Sequence, residues 1–324
     1  MALKALALLS GGLDSSLAAK LIADQGIEVI GVSFESPFFD ATGAREAAEE
    51  LGIELVVIDL SEDIMRLLAA PRYGFGKHMN PCIDCHALMV RRAAERMNDL
   101  GASFIVTGEV VGQRPKSQMR FGLEAVVRES GAAGLLLRPL SAQLLPPTVP
   151  EESGWVDRSK LLGLHGRTRK PQLALAAAYG FSRFKSPAGG CLLADENYSR
   201  ALRDLRDHGD LTLASVRLIS VGRQFRISER AKLVVGRNQS ENAVLAEACP
   251  PGDLLLRAAD RKGPTAVLSG SATGEDRALA AGIVASYADD APPGTPRIQF
   301  QGPDGSIEIA AAPLPRERGR ALAI

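Results

Sequence analysis

Apolar and helical text alternate from the start of the chain. Ala5 to Leu9 is an unbroken apolar run; Leu17, Ala18, Leu21 and Ile22 then share one helical face, opposite Lys20 and Asp24, until Gly26 ends the pattern. Glu28 to Phe34 is apolar and rich in β-branched residues, Ala41 to Leu51 is helical with Gly52 at its C-cap, and Glu54 to Leu60 reads as a third strand. Strand, helix, strand, helix, strand with short connections predicts an α/β fold: a parallel sheet with right-handed crossovers and helices on both faces.

The pattern breaks from Pro71 to Pro81 into Gly, Pro, aromatic and basic residues, and resumes as a helix after Asn80-Pro81-Cys82-Ile83-Asp84-Cys85-His86. Ser103 to Thr107 predicts a fourth strand, followed by Gly108-Glu109 and a polar loop, Gly112 to Gln118; Leu135 to Leu137 predicts a fifth. A basic segment, Arg158 to Lys170, precedes an Ala- and Leu-rich helix up to Tyr179, and Arg183 to Cys191 closes with Gly189-Gly190-Cys191. Charged helical text runs to His208. From Leu211 the composition shifts to short β-like runs, Val216 to Val221, Leu233 to Gly236, Leu254 to Arg257, Ala266 to Leu268 and Ile298 to Phe300, with a helix over Asp276 to Tyr287. The expected division is therefore 1–207 and 211–315, the second part a smaller α/β or α+β domain, with a disordered tail over Arg316 to Arg320.

Composition narrows the function classes. A chain of 324 residues is long enough for two domains, and its formal net charge of zero demands no polyanionic partner, so any RNA contact must come from local basic clusters. The apolar start runs straight into a polar turn without a cleavage site, and no later stretch is long and apolar enough to span a bilayer; the expected location is cytoplasmic, with no membrane partner. Four cysteines in such a chain do not read as a disulfide framework.

Ser10-Gly11-Gly12-Leu13-Asp14-Ser15-Ser16 joins the first strand to the first helix, and it reads as an anion site. Two glycines let the backbone approach an anion, Ser15 and Ser16 are candidate caps, and the free N–H groups and positive dipole end of the helix face the same point. The lysine of a P-loop is missing. The stretch resembles instead the PP-loop, SGGxDS, of the adenine-nucleotide α-hydrolase superfamily, a Rossmann-like fold. That resemblance implies that ATP is split between its α and β phosphates with AMP passed to an oxygen, and that Asp14 binds Mg²⁺. Ser10, Gly11, Gly12, Asp14, Ser15, Ser16 and Gly108 are then candidate nucleotide contacts, and Phe34, at the carboxyl end of the second strand, lies where adenine or ribose would be.

Cys82 and Cys85 are spaced C-x-x-C, and Cys191 follows in the later Gly-Gly-Cys turn. A c-type haem site, a structural zinc with His86, a redox or persulfide pair, an inert pair and a three-cysteine [4Fe-4S] cluster with one open iron all stay open; the cluster is the leading expectation.

The PP-loop, Asn-Pro-Cys-x-x-Cys and the later Gly-Gly-Cys are together similar to the tRNA thiouridylases over roughly residues 5–195. The Asn-Pro-Cys stretch resembles the tRNA 2-thiouridylase family, and Thr107-Gly108-Glu109 through Gln118 resembles the 4-thiouridine synthases. In the 2-thiouridylases an Asp or Cys three positions before the first catalytic cysteine, that cysteine and a distant second one form the sulfur site; by resemblance these are Cys82, Cys85 and Cys191. The resemblance implies an ATP-dependent sulfurtransferase acting on tRNA, with Asp14, Cys85 and Cys191 catalytic and a sulfur donor protein or sulfide as partner. A small-molecule adenylating enzyme and a non-catalytic nucleotide- or RNA-binding protein are the rival readings. Lys77, Arg114, Lys116, Arg120, Arg167, Arg169, Lys170, Arg183 and Lys185 form a candidate phosphate-binding set, and Arg223, Arg226, Lys232 and Arg237 candidate substrate contacts in the second domain.

Overall fold

A computed structural model describes the chain apart from residues 1–2, 185–189 and 291–292. It divides into two compact units, Met1–Asp195 and Glu196–Ile324.

The first unit contains β1 (Lys4–Leu8), α1 (Leu13–Ala23), β2 (Glu28–Glu35), α2 (Thr42–Leu51), β3 (Leu55–Asp59), α3 (Ser61–Ala69), α4 (Cys82–Glu95), α5 (Met97–Leu100), β4 (Phe104–Val106), α6 (Arg120–Ser130), β5 (Leu136–Leu137), α7 (Val149–Glu152) and α8 (Lys170–Tyr179). The five strands are all parallel in the order β3-β2-β1-β4-β5. Strand alternation builds a core on each face. Ala5, Ala7, Val29, Phe104 and Val106 pack with Leu17 of α1, Ala44 of α2 and Ala176 of α8. The intervening Leu6, Ile30 and Ile105 are buried towards the other face, where α4 contacts β1 and β4 and packs on α3 and α6. The winding reverses between β1 and β4, and the carboxyl ends of those two strands open the crevice in which such sheets bind ligands.

The second unit contains α9 (Glu196–Asp207), α10 (Leu213–Leu218), β6 (Arg223–Ser228), β7 (Ala231–Val235), α11 (Gln239–Ala248), β8 (Leu254–Ala258), β9 (Ala266–Gly270), α12 (Gly274–Ala285), β10 (Arg297–Gly302), β11 (Gly305–Ala310) and α13 (Arg316–Leu322). Its six strands form a sheet in the order β11-β10-β8-β9-β7-β6, every pairing antiparallel. Leu233, Val235, Ala266 and Leu268 pack on α12, while Val234 and Val267 pack on Leu218 and Leu245 of α10 and α11.

Several expectations are corrected. The boundary falls ahead of α9, not near Asp207, because Asp204 on that helix is tied to Arg226 and Lys232 of the second sheet. Val216 to Val221 is not a strand. Thr212 Oγ1 accepts from the Ser215 N–H at 3.1 Å and caps a short helix over the run. Arg316 to Arg320 is helical, and the following residues return to β6, with the Ile324 N–H donating to the Gln224 carbonyl at 3.1 Å.

Two of the basic residues expected to meet substrate in this unit are instead internal. Arg226 donates to Asp204 at 2.6 Å and to Asp210 at 3.1 Å, and the buried Lys232 donates to Asp204 at 2.7 Å. Arg237 pairs with Glu241 at 2.6 Å, and the Arg223 guanidinium stacks 4.6 Å from the Tyr287 ring centre.

Candidate functional site

The turn after β1 is built by glycine contacts. Gly11 has φ +72°, and a Cβ there would lie 2.3 Å from the Gly43 carbonyl carbon, so turn and α2 approach backbone to backbone. Gly12 is the N-cap of α1, whose first turn carries Asp14. Ser15 and Ser16 are not caps. They lie inside the helix and their hydroxyls turn back to the Gly12 carbonyl, at 2.8 and 3.5 Å, while Ser15 Oγ also accepts from the Ser10 N–H at 3.3 Å. These bonds brace the turn and leave the first N–H groups of α1 without intrahelical partners.

The loop after β4 closes on the same point. A Cβ on Gly108 would lie 2.5 Å from the Asp14 carbonyl carbon and the Ser15 nitrogen, so only glycine lets the loop after β4 meet the first turn of α1. Gln113 Nε2 donates to Asp14 Oδ2 at 2.6 Å, and Gln172 Nε2, from α8, donates to Gln113 Oε1 at 3.0 Å. Asp14 Oδ1 is buried without a hydrogen-bond partner, as are Gln172 Oε1, Gln118 Oε1 and Arg169 Nε. Sequence reasoning missed Gln113 and Gln172 as site residues, because an amide pair 59 positions apart belongs to no motif.

One residue beyond Gly108, Glu109 is buried and accepts from Arg138 Nε at 2.8 Å, Thr107 Oγ1 at 3.0 Å and His86 Nδ1 at 3.0 Å. Burial works against its ionisation, but Arg138 and His86 outweigh it and hold the carboxyl well below the usual range. An ionised carboxylate only accepts, so the His86 proton sits on Nδ1.

The three cysteines of this unit come within electrostatic reach of one another. Burial, then the neighbouring Cys191, Cys82 and Asp84, push the Cys85 thiol far above the ordinary thiol range. Burial pushes Cys191 up to about 11, aided by Cys82, while the N–H groups of Leu193 and Ala194 and the Arg114 guanidinium act in the opposite direction. The Leu192 N–H donates to the Phe38 carbonyl at 2.9 Å, which seats Cys191 beside the loop after β2. Cys82 Sγ accepts from Asn80 Nδ2 at 3.1 Å, and the His78 N–H bonded to Asn80 Oδ1 at 3.1 Å fixes that amide's orientation. Among the described residues no three His, Cys, Asp or Glu side chains are placed to hold a single metal ion.

Phe34 is buried in β2, paired with Ile58. Lys116 does not belong to a phosphate-binding face. Its ammonium donates to the Tyr73 and Phe75 carbonyls at 2.6 and 2.9 Å, fastening the loop that leads to the cysteines, and its own φ is +67°. Lys77, Arg114, Arg120, Arg167, Lys170 and Arg183 are exposed; Lys185 and Gly189 lie outside the described residues.

Residues 3–145 match the family model described as the tRNA methyl transferase HUP domain, and residues 222–321 that described as the NFACT protein RNA binding domain. A tRNA-specific 2-thiouridylase MnmA of Geotalea uraniireducens is 28% identical over 222 residues, 61% of this chain and 56% of that protein. The namesake from Xanthobacter autotrophicus is 26% identical over 82% of this chain and 70% of its own length. Among solved structures, a 4-thiouridine synthetase–RNA complex with bound ATP is 26% identical, covering 43% of this chain and 37% of that one, at a TM-score of 0.36. The chain thus spans little more than half the length of the first of these relatives. Residues 3–145, within the first unit, are thus similar to that HUP domain, and the chain is similar to tRNA-specific 2-thiouridylases over 61% of its length.

Proposed function

We propose that this PP-loop, thiouridylase-like chain is an ATP-dependent sulfurtransferase that replaces a carbonyl oxygen of a tRNA uridine by sulfur, forming AMP and pyrophosphate. The observation that supports the reading is that the segments after β1, β2 and β4 of one parallel sheet carry, in turn, the glycine turn, the Phe38 carbonyl that accepts from Leu192 beside Cys191, and Glu109, bonded to the His86 that follows Cys85. A uridine oxygen is a poor leaving group. Attack of that oxygen on the α-phosphorus expels pyrophosphate and leaves the oxygen as AMP, which a sulfur nucleophile then displaces from the ring carbon.

Ser10, Gly11, Gly12, Ser15 and Ser16 form the phosphate cradle, with Gly108 closing it and the loop beyond Phe34 beside the nucleoside. Asp14 fits a Mg²⁺ ligand, since one buried oxygen is unpartnered, and the ion would neutralise charge on the phosphates. Cys82, Cys85 and Cys191 would hold a [4Fe-4S] cluster: burial and mutual repulsion keep Cys85 and Cys191 as thiols, and the positive charge of bound iron would favour their thiolates. Such a cluster would supply an open iron able to hold sulfide. Asn80 holds Cys82 by a hydrogen bond, and Arg114 favours the thiolate of Cys191. Sulfide or a donor protein supplies the sulfur. The second unit contributes RNA binding and no chemistry, in keeping with its family match.

Cells lacking this chain should lose a thiouridine from their tRNA, measured by nucleoside mass spectrometry. The full chain should restore it and Asp14→Ala should not. An unchanged set of thionucleosides would refute tRNA as the substrate.

A further inference from the structure

The carboxylate of Asp14 can engage a cation only if one oxygen is kept free and correctly aimed, and the structure contains a device for this. Asp14 Oδ2 is occupied by Gln113 Nε2 at 2.6 Å while Oδ1 is buried and unpartnered. The orientation of both amides follows from that contact. A carboxylate accepts only, so Gln113 must present its NH₂ to Asp14 and its carbonyl oxygen to the next residue, and Gln172 must answer with its own NH₂ at 3.0 Å. Gln172 is 1% exposed and cannot reverse without a clash of like atoms along the whole chain.

The arrangement retains buried acceptors that a purely structural network would have satisfied. Gln172 Oε1 has no partner, and neither has Gln118 Oε1, at the end of the loop that carries Gln113. The loop is held in register with the segment before α8 by the Gly166 N–H, which donates to the Val111 carbonyl at 2.8 Å, and α8 itself packs on α1. Gln113 and Gln172 are thus fixed from two sides relative to the phosphate turn.

We propose that Gln113 and Gln172 are positioning residues that hold Asp14 with one oxygen bonded and the other open to the divalent cation of the bound nucleotide. The inference rests on the nucleotide reading above. Gln172 touches neither Asp14 nor the cation in this scheme, so its influence passes through the direction of two amides. Gln172→Glu replaces the donor by an acceptor, turns the Gln113 amide over and sets its carbonyl against the carboxylate of Asp14.

The test is binding by the full chain, with no turnover involved. ATP affinity is measured by calorimetry with Mn²⁺ and, separately, in excess chelator, for wild type, Gln172→Glu and Gln113→Ala. The expected result is a loss of roughly tenfold or more in affinity for Mn²⁺·ATP in both variants, the range found when partners that orient a metal ligand are removed. Affinity for metal-free ATP should stay within about twofold. Gln113 lies partly exposed on a loop, so Gln113→Ala keeps the test decisive should Gln172→Glu disturb packing. Unchanged Mn²⁺·ATP affinity in folded Gln113→Ala, or equal losses with and without metal, would overturn the assignment while leaving the nucleotide site in place. A wild-type chain that binds no ATP under either condition would overturn both.

Discussion

Two clusters of paired charge, one in each unit, are finished in opposite ways. In the first unit Glu109 and Arg138 pair below a turn whose surroundings keep Asp14 Oδ1, Gln118 Oε1, Arg169 Nε and Gln172 Oε1 buried and unpartnered. In the second, Asp204 receives Arg226 and Lys232, with Asp210 as a further acceptor, and the group closes on itself. Among the described residues of the second unit the buried unpartnered side-chain atoms, Gln224 Oε1 and Arg277 Nε, belong to a strand and a helix. A buried polar group without a partner costs about 1–3 kcal/mol. On the function proposed here, the unpartnered atoms on α1, on the loop carrying Gln113 and Gln118 and at the start of α8 are where a ligand would complete the bonding, whereas the cluster of the second unit is a structural joint.

The largest effects should separate the steps of the proposed reaction. Cys85→Ser and Cys191→Ser should lower thiolation by about a thousandfold or more, while AMP and pyrophosphate still form, because the sulfur nucleophile and not the phosphate cradle is removed. Protein purified without oxygen should be brown, with broad visible absorbance that Cys191→Ser abolishes. Colourless anaerobic protein that still thiolates would remove the cluster and leave a persulfide pair.

A smaller and purely structural effect is expected in the second unit. Asp204→Ala leaves Arg226 and Lys232 without their shared acceptor and should destabilise this unit by about 3–5 kcal/mol in denaturant unfolding, the first unit's transition being unmoved. The sign with pH follows from the same cluster. Burial opposes ionisation of Asp204, but Arg226 and Lys232 prevail and lower its pKa. Its contribution is therefore complete above the ordinary carboxylate value of about 4 and is lost as pH falls through the lower folded value. Asp204→Asn should flatten that acid limb. An unchanged limb would show that the closed cluster is not the joint described here.

The contrast also explains what could be read from the chain. The five parallel strands, including the two-residue β5, were legible because β-branched runs and glycine stops alternate with helical faces. β6 was not, since Arg-Gln-Phe-Arg-Ile-Ser places long polar residues at alternate positions, and β11 is an exposed edge with little apolar signal. Asp14 and the cysteines were visible through motif and spacing. Gln113 and Gln172 carry neither, and the role of Lys116 depends on two carbonyls that only the folded loop brings within its reach.

The coupling of adenylation to thiolation can be followed through both products in one reaction. The full chain, kept free of oxygen, is incubated with α-labelled ATP, Mg²⁺, sulfide and unmodified tRNA, and nucleotides and digested nucleosides are quantified together. AMP and pyrophosphate should form in step with thiouridine, dependent on Asp14, with no ADP. Release of ADP and orthophosphate, or AMP formed without any thionucleoside, would contradict it.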